Sequence, residues 1–120
     1  MIVDDDPDIL FTFKSILEIA GYYVNTFSDS NEALIHFKQV DPFYYKLVLT
    51  DIIMPKINGF QLYSKLKEIN TDIRVLFTTA LETTDNIWDR IPEIKDSDII
   101  RKPIEEEHFV NRINRTIKCK

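Results

Sequence analysis

Short apolar runs alternate with longer amphipathic stretches along the whole chain, and that alternation predicts an α/β fold built on a parallel sheet. Residues 1–3, 23–27, 47–49, 73–77 and 98–101 read as strands. Leu47-Val48-Leu49 is continuously apolar, as expected of a strand buried on both faces, and runs straight into Thr50-Asp51. Between the strands the period lengthens. Asp6 and Pro7 read as N-cap and first residue of a helix whose face is Ile9, Phe13, Ile16, Leu17 and Ala20, with Gly21 ending it. Asp29 followed by Glu32 has the form of a capping box for a helix through Ala33, Leu34, Phe37 and Val40, which Asp41-Pro42 stops. A third helix follows Gly59, with Leu62, Leu66 and Ile69 spaced for burial. Residues 84–94 hold only a short helix because Pro92 breaks it. The last helix shows Phe109, Ile113 and Ile117 at helical spacing, with Glu105, Glu106 and Glu107 near its positive end.

Composition narrows the class. The 120 residues are 44% hydrophobic and 29% charged, which suits one globular domain over 1–120 with a real core and leaves no room for a second. A net charge of −5 with scattered basic residues argues against direct nucleic-acid contact. Cys119 is the single cysteine, so an internal disulfide and a thiolate metal site are both excluded, which fits a reducing compartment. No apolar run reaches the roughly 18 residues of a membrane span, and the first residues do not form a signal peptide. The expected location is cytoplasmic.

Chemistry concentrates at the strand ends. Asp4-Asp5-Asp6 follows the first strand, Asp51 the third, Thr79 the fourth and Lys102 the fifth. In an open parallel sheet these groups all emerge at the carboxyl edge, where doubly wound folds place their ligands. Adjacent carboxylates raise one another's pKa unless a cation lies between them. Mg²⁺ is the natural relief, because it takes oxygen ligands from one or two carboxylates and keeps other positions for water or phosphate. A hydroxyl and an ammonium then supply donors to phosphoryl oxygens, and phosphoryl transfer needs little beyond such positioning.

Plainer readings stand beside these. Asp6 is an N-cap, and Asp4 and Asp5 alone would suit caps or turns; Asp51 tips them toward a metal. A calcium loop wants alternating oxygen ligands and Gly at its sixth position, which Asp6-Pro7-Asp8 does not supply. Thr78 and Thr79 are good strand residues by β-branching alone, and Lys102 would be a surface lysine but for its place before Pro103 at a strand end. Trp88 reads as core packing ahead of a docking anchor, His36 and His108 as surface residues, and Met54 as turn filler.

These residues resemble the receiver domain of two-component response regulators, over the whole chain. Val3-Asp4-Asp5 is similar to the family's acidic pair. Asp51-Ile52-Ile53-Met54-Pro55-Lys56-Ile57-Asn58-Gly59 is similar to its phosphoacceptor segment, Thr79-Ala80 to its hydroxyl position, and Lys102-Pro103 to its lysine and typically cis proline. The separations of 46 (51 minus 5), 28 (79 minus 51) and 23 (102 minus 79) residues each accommodate a helix plus a strand. The resemblance implies a doubly wound, flavodoxin-like five-stranded sheet of order 2-1-3-4-5 with helices on both faces. It implies that Asp51 takes a phosphoryl group from a sensor histidine kinase. Mg²⁺ would be held by Asp5, Asp51 and the backbone carbonyl of Ile53, and by Asp4 through water. Lys102 would pair with Asp51 and then with phosphoryl oxygens, to which Thr79 would donate. The only enzymatic chemistry expected is self-phosphorylation and autodephosphorylation. An effector domain or downstream protein would read the result, a homodimer could form through the face around residues 84–118, and neither nucleic acid nor membrane is contacted directly.

Three departures from the family pattern carry expectations. Ile99 stands where receivers usually have Tyr or Phe, so the signal is expected to run through the loop after Thr79 and the Pro92-broken helix. The first strand falls below the usual length of about five residues, implying reduced stability. Ile53 and Leu81 are apolar and bulky where the family controls water access, implying slow hydrolysis of the acyl phosphate. Three other readings compete. A flavodoxin-like FMN binder would need amides and hydroxyls where Asp4, Asp5 and Asp6 would repel phosphate. A Mg²⁺-dependent aspartyl-nucleophile phosphatase generally wants a second acid at the position of Ile53. A degenerate receiver would serve only as an interaction module.

Overall fold

Apolar residues that alternate along each strand divide between two helical layers, and this division builds the molecule. The computed structural model describes residues 1–80 and 94–118. Its strands are β1 (Ile2–Val3), β2 (Thr26–Phe27), β3 (Val48–Asp51), β4 (Val75–Thr79) and β5 (Ile99–Arg101), all parallel in the order β2-β1-β3-β4-β5. The helices are α1 (Pro7–Ile19), α2 (Ser30–Gln39), α3 (Gly59–Ile69) and α4 (Glu106–Lys118). This is the flavodoxin-like topology expected from the sequence.

Val3, Val48, Phe77 and Ile99 pack with Ala33, Leu34 and Phe37 of α2 and Leu62 and Leu66 of α3. Ile2, Leu49, Leu76 and Ile100 pack with Leu10, Phe13 and Leu17 of α1 and Phe109 and Ile113 of α4. Phe13 stacks on Phe109 with centroids 4.4 Å apart, which ties the two helices of that layer together. Each such buried side chain stabilises the fold by about 1.5–3 kcal/mol.

The register sets the carboxyl edge. Val3 pairs with Thr50, Asp51 with Thr78, and Thr79 with Arg101, so the residues that follow these positions emerge together. The strand boundaries differ from the sequence reading for reasons of pairing. β2 shrinks to Thr26–Phe27 because it pairs only with β1, which offers Ile2 and Val3. β4 starts later and includes Thr78 and Thr79, because both have partners in β5. β5 starts at Ile99 because Asp96–Asp98 closes as a 3-10 turn, with the Asp98 amide donating to the Lys95 carbonyl at 2.8 Å.

Helix ends follow local chemistry. The Asp6 carboxylate accepts from the Asp8 amide at 2.9 Å, as an N-cap should. At the other end of α1 the Gly21 amide donates to Glu18 and the Tyr22 amide to Leu17, a Schellman pair that Gly21 permits at φ +98°. Asp29 caps α2 by accepting from the Asn31 and Glu32 amides. The complete capping box forms at α3 instead, between Asn58 and Gln61.

Three side chains lie elsewhere than expected. Leu10, not Ala20, belongs to the buried face of α1, because Ala20 is already the C-cap. His36 is half-buried: its ring lies 5.1 Å from Phe27, and its Nε2 is hydrogen-bonded with the Tyr45 hydroxyl. Tyr45 also accepts from the Asn25 amide at 2.7 Å. Met54 is a buried core residue. His108 is exposed, as expected. The short helix expected over residues 84–94, Trp88, Leu81 and Cys119 lie outside the described residues.

Candidate functional site

Asp4 and Asp5 leave the end of β1, Asp51 closes β3, Thr79 closes β4 and Lys102 follows β5. The sheet therefore brings residues from four strands to one edge. Carboxylate oxygens of Asp4, Asp5 and Asp51 lie within 4.8 Å of one another. The Lys102 ammonium sits 3.0 Å from Asp4 Oδ2 and 3.5 Å from Asp51 Oδ2. It thus pairs with Asp51 as expected and more closely with Asp4. Asp4 is 1% exposed and also accepts from the Asp6 amide at 2.9 Å, whereas Asp5 is open to solvent.

Backbone bonds fix Lys102 and the loop after Asp51. The Lys102 amide donates to the Thr79 carbonyl at 2.7 Å, and the Lys102–Pro103 peptide is cis. Thr79 is fully buried beside it. The Ile52 amide donates to Thr78 at 3.0 Å and its carbonyl accepts from the Gly59 amide at 2.9 Å, which closes the loop after Asp51 at its base. Gly59 is needed for this close approach, because a Cβ there would stand 2.4 Å from the Asp51 carbonyl oxygen. Lys56, within the loop, adopts φ +66°, a conformation few non-glycine residues take.

Burial pushes the Asp51 carboxyl above the usual carboxylate range, and the neighbouring Asp4 charge pushes the same way. The Lys102 ammonium and the Ile53 amide, which donates to Asp51, pull against this without reversing it. Among the described residues, the three carboxylates are met by one ammonium, that of Lys102, leaving a formal excess of two negative charges (three minus one). Hard oxygen donors with that excess fit a divalent cation such as Mg²⁺.

The sequence profile of the response regulator receiver domain matches residues 1–114. The chain belongs to that family. This receiver domain acts in two-component signalling. It is 30% identical to the response regulator receiver protein CpdR of Brucella abortus, covering 98% of this chain and 94% of CpdR. It is 31% identical to protein PilH of Pseudomonas aeruginosa, covering 95% and 93% of the two chains. With the probable transcriptional regulator ycf27 of Porphyra purpurea the identity is 32%, over 98% of this receiver but only 46% of that protein. The receiver thus spans about half the length of several curated relatives. Among solved structures, a response regulator receiver domain protein from Clostridium thermocellum superposes with a TM-score of 0.84 at 31% identity, covering 97% and 90% of the two chains.

Every site residue expected from the sequence reaches this edge, Ile53 included, with its side chain exposed and its amide on Asp51. Gly59 ends the segment that carries the resemblance, whereas nothing in the sequence points to Ser30. The close contact of Gly59 needs the loop's three-dimensional path to be seen. Ser30, which holds that loop from α2, has no sequence signal beyond its place after the Asp29 cap.

Proposed function

We propose that this receiver accepts a phosphoryl group on Asp51 from the phosphohistidine of a sensor histidine kinase and signals through the resulting change of charge. The observation that carries this reading is the convergence of three carboxylates and one ammonium at the carboxyl edge of a receiver sheet. Mg²⁺ fits the donor set: Asp5, Asp51 and the Ile53 carbonyl would hold it, with Asp4 acting through water. When bound, it would neutralise oxygens of the transferring group.

The chain's own residues do the rest. An Asp51 carboxylate oxygen attacks phosphorus while the P–N bond breaks, and the electron pair leaves with the imidazole, giving an acyl phosphate. Lys102 follows the negative charge from Asp51 onto the phosphoryl oxygens, and the Thr79 hydroxyl supplies another donor. The domain acts on no external substrate beyond this self-phosphorylation and its reversal by hydrolysis. Ile53 is 57% exposed and apolar, which favours slow hydrolysis by leaving water unassisted at that position. Replacing Ile53→Asn together with Leu81→Glu hastens loss of the phosphoryl group; an unchanged rate in a phosphate-release assay counts against this control.

Partners follow from charge and length. At net charge −5 the domain itself is suited to contact proteins rather than nucleic acid. Relatives of about this length and relatives about twice as long support two forms of output, a downstream protein and an attached effector domain. A homodimer through the face around residues 84–118 would involve α4, and the rest of that face lies partly outside the described residues. Among the described residues no helix is long and apolar enough to cross a membrane, in keeping with a cytoplasmic role.

Acetyl phosphate labelling tests the proposal. Wild type incorporates one phosphoryl group in a Mg²⁺-dependent reaction and Asp51→Asn incorporates none. Labelling that persists in Asp51→Asn, or sustained turnover of a phosphomonoester, overturns it in favour of another acceptor or an aspartyl phosphatase.

A further inference from the structure

The loop from Ile52 to Gly59 is held not only at its base but also from α2, by a residue outside the catalytic edge. Ser30 is the first residue of α2 and is 2% exposed, yet its hydroxyl is not spent on capping. It donates to the Ile57 carbonyl at 2.8 Å, across 27 residues of sequence. Beside it, Asp29 Oδ2 lies 3.4 Å from the Lys56 ammonium. These two contacts grip Lys56 and Ile57 at the point where the backbone turns through φ +66°. A conformation that non-glycine residues disfavour persists only when its surroundings hold it.

The grip bears on Asp51 through a short path. The same loop donates the Ile53 amide to the Asp51 carboxylate, and its base bonds, Ile52 to Thr78 and Gly59 to Ile52, fix the backbone on either side. The base contacts pin Ile52 and Gly59, the Ile53 amide reaches Asp51, and Ser30 holds Ile57, two residues before Gly59. Asp29 is an exposed partner for Lys56, and exposed ion pairs contribute little. The Ser30 bond is partly buried, with its hydroxyl end almost wholly hidden, so its loss leaves the Ile57 carbonyl without its protein partner in a place with limited access to water.

We propose that Ser30 is a positioning residue for the phosphoacceptor site: its bond to Ile57 fixes the loop that orients Asp51, and so sets how well the site takes Mg²⁺ and phosphoryl donor. This rests on the reading of Asp51 as acceptor in a Mg²⁺ site. It also makes the start of α2 a place where a change of packing would tune the site at a distance, since any shift of α2 moves the donor.

The test compares wild type, Ser30→Ala and Ser30→Thr. Mg²⁺ affinity is measured by calorimetry, labelling by acetyl phosphate gives rate against Mg²⁺ concentration, and melting temperature is recorded alongside. Ser30→Ala weakens Mg²⁺ binding about three- to tenfold, the range that the net contribution of one hydrogen bond spans. It raises the Mg²⁺ concentration for half-maximal labelling by a similar factor and leaves the saturated rate near wild type. Ser30→Thr keeps the hydroxyl and restores both. If Ser30→Ala lowers the melting temperature but leaves Mg²⁺ affinity and half-maximal concentration unchanged, Ser30 is merely structural and the inference falls. Should Ser30→Ala fail to fold, Ile57→Pro is no remedy, since the carbonyl remains; Ser30→Cys, a weak donor of similar size, gives the intermediate affinity expected of a weakened bond, and wild-type affinity in that variant overturns the role. Absence of Mg²⁺ binding in wild type would instead refute the site reading itself.

Discussion

Asp51 is nine-tenths hidden yet ionisable, and its raised pKa links the proposed acceptor to the stability of the fold. A carboxyl that binds its proton more tightly when folded contributes stability at low pH that is lost as pH rises from the unfolded value of 3.8 through the higher folded one. Once ionised, the group therefore weakens the metal-free fold. Asp51→Asn should melt at a higher temperature than wild type in EDTA at pH 7, and the difference should shrink as pH falls through the raised folded pKa of Asp51 toward the unfolded value of 3.8. Added Mg²⁺ should narrow the gap from the other side by stabilising only wild type. Gly59 places the opposite kind of demand on the same backbone. Gly59→Ala would set a methyl 2.4 Å from the Asp51 carbonyl oxygen and 2.9 Å from the Ile52 Cα, neither of which yields without moving the acceptor. Overpacking of this kind costs about 1–3 kcal/mol, measurable by urea denaturation, with a matching loss of Mg²⁺ affinity.

Elements show how local rules and tertiary demands divide the work. The cap of α1 at Asp6-Pro7 and its stop at Gly21 were legible because each is set by its own residues. The box at α3 has an equally local signature in Asn58 and Gln61, three residues apart. Asn58→Ala should cost about 1 kcal/mol, seen as a lower midpoint in urea, and should loosen the loop that ends there; Asn58→Asp should keep most of the cap. Strand boundaries were less legible. Nothing in Tyr23, Val24 or Asn25 forbids a strand, but β2 can extend only as far as β1 offers backbone partners. Thr78 and Thr79 follow the apolar run 73–77, and pairing with Ile100 and Arg101 draws them into β4.

Across the whole molecule, the buried Ile99 poses the question of how phosphorylation reaches a partner. It packs in the layer shared with α2 and α3, with no aromatic ring at that position to rotate between two states. A switch in this receiver would then lie elsewhere, and the stretch that follows Thr79, which ends β4 at the same sheet edge as Asp51, is the first region to test. Hydrogen exchange with and without a phosphoryl mimic should change protection within residues 80–100 and leave the cores of α1 and α4 unaltered. Unchanged exchange over 80–100 would rule out that route. The Ser30 contact offers a second region to inspect in the same experiment, at the start of α2.

The order of apolar and polar residues by itself determined the α/β class, most helix ends and the chemistry at the strand ends, because period, caps and turn residues act within a few positions of one another. Those strand-end residues also carried the family resemblance, and with it the strand order. Tertiary structure alone decided which acid Lys102 approaches more closely, how far Asp51 is removed from water, and that Gly59 and Ser30 hold the acceptor loop. These depend on distances between residues tens of positions apart, which only the register of the sheet and the packing of α2 against the loop can set.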